Sequence, residues 1–327
     1  MRVLIELSGE HPTLPRAEVL AVLEAERVQV RSASWTSKVL RIDAVGPVER
    51  AVRRVGLAHV VLEELVSGSL EDVRAFARSL DLGGRTFRVR ARGLDVDLDV
   101  RAVEGALGAD LGRTGKVRLT NPSLDLRLLV GDDVVLGRVL HRVERSALEA
   151  RKVARRAFSL PISLHPKFAR ALVNLARVPT AGIVLDPFCG TGGLILEASR
   201  IGLRGIGADL QRSMVLGARK SLRQFDAFAD LVVADAGSPP FRPGIVGITT
   251  DPPYGRAAST RGESLDALYE RAFSAFVELL PRGGHAAVAL PSDRAIEIGE
   301  GHLDLLETHA MRVHRSLVRT FCAFRRR

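Results

Sequence analysis

This 327-residue sequence predicts an α/β protein, with an α+β N-terminal half ahead of a mainly parallel, seven-stranded sheet covered by helices on both faces. Three observations carry that prediction. Beyond residue 180, short β-rich runs alternate with helical patterns of about 10–15 residues, as expected of parallel strands joined by crossover helices. A glycine-rich turn, Cys189-Gly190-Thr191-Gly192-Gly193, directly follows the first of those runs. The first 145 residues mix strand and helix without such regular alternation.

In the N-terminal half, strands are expected over Val3–Leu7, Val39–Ala44, Phe87–Ala91, Leu126–Val130 and Val134–Val139. Helical periodicity covers Arg16–Glu26, Val48–Val55, Leu70–Leu80 and Val100–Leu111. This region reads as two small units, residues 1–65 and 66–145, joined around Glu64–Ser69. Residues 146–180 read as a basic linker, in which Ser146–Arg156 forms a helix that Pro161 and Pro166 interrupt. Over residues 181–327 the expected strands are Ile183–Asp186, Gly205–Ala208, Leu231–Ala234, Ile245–Thr250, His285–Leu290, Leu303–Ala310 and Leu317–Phe324. Leu194–Ile201, Ser213–Gln224 and Leu265–Leu280 are the helices between them, and the last two strands are read as an antiparallel pair closing the sheet.

A formal charge of +10 and a pI near 10.6 favour a polyanionic partner. The excess is concentrated: +2 over residues 1–145, +6 over 146–180, where seven Lys or Arg meet one Glu, and +2 over 181–327. Arg151, Lys152, Arg155, Arg156, Lys167, Arg170 and Arg177 make the middle segment a candidate phosphate-contacting surface, although a run of charge is as often only a solvated face. No apolar run approaches the roughly 20 residues of a bilayer span. The start, Met1-Arg2-Val3-Leu4-Ile5-Glu6, does not read as a signal peptide. Cys189 and Cys322 are the only cysteines, too few for a disulfide framework or a four-cysteine zinc site. A cytoplasmic monomer without a metal and without membrane contact is expected.

The chemistry-bearing residues lie at strand ends. Asp186 opens the first turn, Pro187, Phe188 and Cys189 lead into Gly190, Thr191 and Gly192, and the helix that follows begins with free backbone N–H groups. The turn lacks the G-x-G-x-x-G spacing of a dinucleotide site, which argues against a dehydrogenase. A plain strand-to-helix turn is the competing reading. Asp209 ends the second strand, where a carboxylate suits a diol or caps the next helix. Asp235, followed by Ala236, ends the third. The fourth strand leads into Asp251-Pro252-Pro253-Tyr254-Gly255. An amine conjugated to an aromatic ring is a poor nucleophile, so a site for it must hold the nitrogen ready to pyramidalise. Asp251 and a proline carbonyl supply acceptors for the NH₂, the prolines bring no competing donor, and Tyr254 can stack on the base for about 1–3 kcal/mol. Asp251 can also take the released proton. His165, just before Pro166, is either a substrate contact or a turn histidine.

Three stretches together carry a resemblance: Ser163-Leu164-His165-Pro166 with Ala169–Leu175, Leu185–Gly193, and Asp251–Gly255. On them the chain resembles archaeal-type tRNA guanine-N2-methyltransferases acting at tRNA position 10, which join a THUMP domain to a Rossmann-like class I methyltransferase domain. The likeness is strong over residues 160–327 and thins toward the N-terminus, where Leu119–Arg127 looks like a late THUMP strand. The resemblance implies S-adenosylmethionine as donor. It matches Asp186, Pro187, Phe188, Cys189, Gly190, Thr191 and Gly192 to the cofactor turn, Asp209 to ribose binding, Asp235 and Ala236 to the adenine side, and Asp251, Pro252, Pro253 and Tyr254 to catalysis. The glycines would make room for the methionine portion, with Asp186 near its ammonium group. Gln211 departs from the pattern, since relatives often have a second acidic residue there. The partner implied is tRNA, its target base flipped from the stack, with His165, Arg151, Arg155, Arg156, Lys167 and Arg170 as contacts. A small activating subunit is compatible with this reading. Other readings are an rRNA, DNA or glutamine methyltransferase with a related Pro-Pro-Tyr motif, and a catalytically silent RNA-binding protein with the same fold.

Overall fold

The structure is a computed structural model and describes residues 1–160, 163–241, 245–254, 262–314 and 317–327. Pro161, expected to break a helix, and Gly255, the last residue of the second motif, lie outside the described residues. Two compact units divide the chain.

The first comprises residues 1–9, 28–49 and 58–143. Its eight strands are β1 (Arg2–Leu7), β2 (Gln29–Trp35), β3 (Val39–Val45), β4 (Ala58–Gly68), β5 (Thr86–Gly93), β6 (Lys116–Val117), β7 (Leu124–Val130) and β8 (Val134–Arg142). They form one sheet in the order β2-β3-β1-β4-β8-β7-β5-β6. The join expected at Glu64–Ser69 is therefore largely the second half of a strand. β4 pairs with β1 on one side and β8 on the other, which makes the two expected N-terminal units a single sheet. Glu64 is tolerated within the strand because Arg41 holds it at 2.6 Å. The helices Leu70–Ser79 and Val100–Leu111 have local causes: Ser69 and Asp72 form a capping box, and Asp99 accepts from the N–H of Ala102. They bury Val73, Ala77, Leu107 and Leu111 against Phe87, Leu126 and Leu128, while Leu129, pointing the opposite way from Leu128, packs with Leu4 and Leu62.

The second unit comprises residues 10–27, 50–57 and 144–327. Its sheet contains β9 (Ile183–Asp186), β10 (Arg204–Asp209), β11 (Ala229–Val233), β12 (Gly247–Thr250), β13 (His285–Leu290), β14 (Asp304–His314) and β15 (Leu317–Arg325). The order is β11-β10-β9-β12-β13-β15-β14, parallel from β11 to β13 and closed by the antiparallel pair. The chain runs outward from β9 to β11, then returns to β12 on the other side. A crevice is thereby left at the carboxyl ends of β9 and β12, where open α/β sheets bind ligands. The helix Asp293–His302, capped by Ser292, was not foreseen.

The helix Leu14–Ala25 belongs to this unit. It packs Leu14, Ala17 and Ala21 with Leu172 and Leu175 of the helix Pro166–Leu175. Glu18, fully buried, accepts from the N–H groups of Gly56 and Leu57 at 2.8 Å each and from the Asn174 amide at 2.8 Å. Residues 10–27 and 50–57 are thus part of the C-terminal core, although they fall within the stretch read as an N-terminal unit. The segment read as a linker also belongs there. Its expected helix stops at Ala150 and gives way to a short 3-10 turn, Val153–Arg155. Arg151, at the end of that helix, turns inward onto Glu197. No helix among the described residues is long and apolar enough to cross a membrane.

Candidate active site

The glycine turn folds as its sequence requires. Gly190 and Gly192 have φ of +48° and +79°, a left-handed region costly for side chains with a Cβ. The N–H of Cys189 donates to the carbonyl of Ala208 at 2.8 Å, and that of Gly192 to the carbonyl of Cys189 at 2.7 Å. A Cβ on Gly192 would stand 3.0 Å from that of Ala218, so the turn packs closely on the helix Arg212–Gln224. At Gly190 the nearest atom to such a Cβ is a carbonyl 3.9 Å away, which leaves that side open for a ligand.

Three carboxyls converge on the crevice. Asp186, 1% exposed, accepts from the Thr250 hydroxyl at 2.7 Å and the Phe188 N–H at 3.2 Å. Burial, with Asp251 and Asp209 nearby, pushes its carboxyl up to about 8. The Thr250 bond ties the end of β12 to that of β9, one residue before Asp251. Asp209 accepts the N–H of Gly190 at 2.9 Å on one oxygen and that of Gln211 at 2.8 Å on the other, and each oxygen keeps a lone pair for a diol. Its helix-start bond and its proposed ribose role therefore coexist. Burial raises its carboxyl as well. A group carrying positive charge would relieve this crowding, and the donor implied by the resemblance carries a sulfonium and an ammonium. The open side of Gly190 and the free lone pairs of Asp209 fit the same molecule.

Asp235 accepts from the Gly237 N–H at 2.9 Å and from Arg271 at 3.1 Å, while Arg271 also grips Glu263 through two bonds of 2.9 Å. Its oxygens are engaged by protein donors, with Ala236 buried beside it. Cys189 is buried, and burial raises its thiol well above the ordinary value, which makes it a packing residue here.

At the second motif, the Asp251 side chain is 18% exposed and is pushed up to about 7 by burial, partly offset by Arg319. The Tyr254 hydroxyl donates to Asp251 at 3.1 Å. Tyr269, 2% exposed on the helix Leu265–Leu279, donates its hydroxyl to the carbonyl of Pro253 at 2.8 Å and so pins the motif's backbone. Pro252 is left with the carbonyl not engaged by that bond. Neither Tyr269 nor Arg319 is among the residues the sequence singles out, and Arg319 lies far along the chain from its motif partner Asp251. Only the buried position of Tyr269 on an amphipathic helix offered a hint.

The basic segment is placed differently from the expectation. Arg151 makes two bonds to Glu197, 2.7 and 3.1 Å, and Arg170 makes two more, 3.0 and 2.8 Å. Glu197 is fully buried on the helix Gly193–Arg200. Arg156 is also buried, donates to the carbonyl of Arg151 at 2.9 Å, and lies against Gly193. Lys167 is paired with Glu10, and Arg177 with Glu24 and Glu307. His165 caps its helix through the N–H of Lys167 and meets Glu149 at 3.0 Å, the turn-histidine alternative. Arg151, Arg156 and Arg170 are therefore corrected from phosphate contacts to cations of the interior, because Glu197 and buried carbonyls compete for them. Arg155 is exposed. The lone Glu in the apolar run Leu194–Ala198, downstream of seven cations, was the signal available.

Residues 154–320 match the family model described as RMKL-like, methyltransferase domain. A tRNA (guanine(10)-N2)-dimethyltransferase of Methanothermobacter thermautotrophicus is 34% identical, covering 98% of each chain. One of the same description from Pyrococcus abyssi is 32% identical over 97% of each. Among solved structures, TrmN from Thermus thermophilus aligns over 99% of this chain and 100% of its own, with a TM-score of 0.55 and 25% identity.

Proposed function

The chain belongs to the archaeal-type tRNA (guanine(10)-N2)-dimethyltransferase family, and from that membership we propose that it methylates the exocyclic N2 of a tRNA guanosine with S-adenosylmethionine as donor. The donor supplies an electrophilic methyl group on sulfur; the chain's residues do the rest. Asp251 and the carbonyl of Pro252 accept hydrogen bonds from the guanine NH₂ and hold its nitrogen with the lone pair free of the ring. Tyr254 supports the plane of the base. Asp251, held up to about 7, takes the proton lost from nitrogen as the new N–C bond forms, and passes it to water. Asp186 and Asp209 face the donor's positive charge and ribose. Cytoplasmic tRNA is the substrate proposed. The eight-stranded unit, which contains the stretch 66–143, is assigned to grasping it as the THUMP-bearing part of the chain, and position 10 with two successive methyl transfers is the product assignment.

The observation that supports this most directly is the 2.7 Å bond from Thr250 to Asp186, which brings the cofactor turn and the Asp-Pro-Pro-Tyr motif to one strand edge. Unmodified tRNA incubated with the protein and labelled donor, then digested and analysed by mass spectrometry, tests it. N2-methylguanosine and N2,N2-dimethylguanosine at position 10 are expected. Label in DNA, rRNA or protein but not in tRNA would refute the assignment.

A further inference from the structure

We propose that Arg319 is a positioning residue of this site, setting the Tyr254 ring and the Asp251 carboxylate toward one point. Arg319 stands near the start of β15, which runs antiparallel to β13 with Leu290 opposite Thr320. Because β15 is reversed, its first residues reach the same edge as the carboxyl ends of β9, β12 and β13. Only a long side chain spans from there to β12. The Arg319 guanidinium lies 5.0 Å from the Tyr254 ring centroid, within cation–π range, and its Nε is 3.5 Å from the Asp251 carboxylate. Arg319 is 2% exposed, which limits its motion and its hydration.

Two consequences follow from this triangle. A base stacked on Tyr254 would then lie on the face opposite the guanidinium, while the Tyr254 hydroxyl is directed at the same carboxylate that Arg319 faces. The positive charge also opposes what burial does to Asp251. Besides Arg319, the groups that sense Asp251 electrostatically are Asp186 from β9 and Tyr269 from the helix Leu265–Leu279; Tyr254, its hydrogen-bond donor, is in the motif. Among these described residues Arg319 alone is a cation, so it favours the charged Asp251 that accepts from an NH₂ over the protonated form that burial favours. Lysine would supply the charge without the flat surface.

The inference rests on the proposed methyl transfer, and three readouts separate the two. For Arg319→Met, donor affinity by calorimetry is expected to stay within about twofold of the unmutated chain, since no donor-facing group is changed. Single-turnover methyl transfer is expected to fall on the order of 10- to 10²-fold, with its acid limb moved up by about one pH unit. Arg319→Lys is expected to restore the position of that limb but not the full rate. Equal acid limbs in all three proteins, or full activity in Arg319→Met, would overturn the inference. If Arg319→Met does not fold, Arg319→Gln repeats the test without charge. The Asp251 carboxyl can also be titrated by carbon-13 NMR in the unmutated chain, assigned with Asp251→Asn. A carboxyl still protonated well above pH 8 would show that Arg319 does not hold its charge. An unmutated chain that transfers no methyl to tRNA would remove the proposed reaction, whereas the titration of Asp251 would still report on Arg319.

Discussion

The strand-end motifs and the basic segment are equally conspicuous in the sequence, yet the motifs meet at one strand edge while three arginines of the basic segment turn inward. Asp186 and Asp251 meet through Thr250 because parallel strands fix which ends are neighbours. Seven consecutive-looking cations carry no such constraint. Whether Arg151 and Arg170 face water or the buried Glu197, and whether Lys167 and Arg177 meet Glu10, Glu24 and Glu307, depends on carboxylates outside the segment. A motif defined by backbone geometry brings its context with it; a charge count does not.

The largest effect expected on the motif side is from Asp251→Asn. Single-turnover methyl transfer at pH 8 should fall on the order of 10²-fold or more, with donor affinity retained in calorimetry. Full turnover would mean that proton acceptance lies elsewhere. On the basic-segment side, Glu197→Gln should strand two arginines in the interior and cost about 3–5 kcal/mol, read as a large drop in the thermal midpoint. A shift near zero would return Arg151 and Arg170 to the surface interpretation.

A milder test uses pH. Asp186 in the folded chain holds its proton up to about 8, whereas the unfolded chain loses it near 4, so the folded state binds the extra proton between these values. Stability of the donor-free protein should therefore fall as pH rises from about 4 to about 8, and level off above. Asp186→Asn should flatten that slope in thermal unfolding. Donor binding near pH 7 should release protons, seen by calorimetry in buffers of different ionisation enthalpy.

The smallest expected effect separates Arg155 from its neighbours. Arg155→Ala should lower the salt slope of tRNA binding by about one while leaving the thermal midpoint unchanged. An unaltered slope would mean that Arg155 makes no phosphate contact.

What could be read ahead was what local pattern dictates. The strands from Ile183 to Leu290, the antiparallel closing pair, the capped helices Leu70–Ser79, Val100–Leu111 and Leu265–Leu279 and the two motifs follow from period, turn chemistry and spacing. Missed were features whose partners arrive from far along the chain. β2 is exposed throughout and has no apolar face to announce it. β4 carries Glu63 and Glu64, legible as strand only once Arg138 and Arg41 are opposite them. Arg319 is one arginine among many until β15 is placed beside β13. The charge cluster Glu18, Arg54 and Asn174 draws on three distant stretches.

The discontinuity of the C-terminal unit affects biogenesis. The helix Leu14–Ala25 leaves the ribosome long before Leu172 and Leu175 exist, so its apolar face must wait in a nascent chain with nothing to bury it. The eight-stranded sheet, complete once residue 143 has emerged, can form in the meantime with this helix looped out. Translation rate and chaperone access should therefore matter more to this protein than to one whose units follow each other in order along the chain.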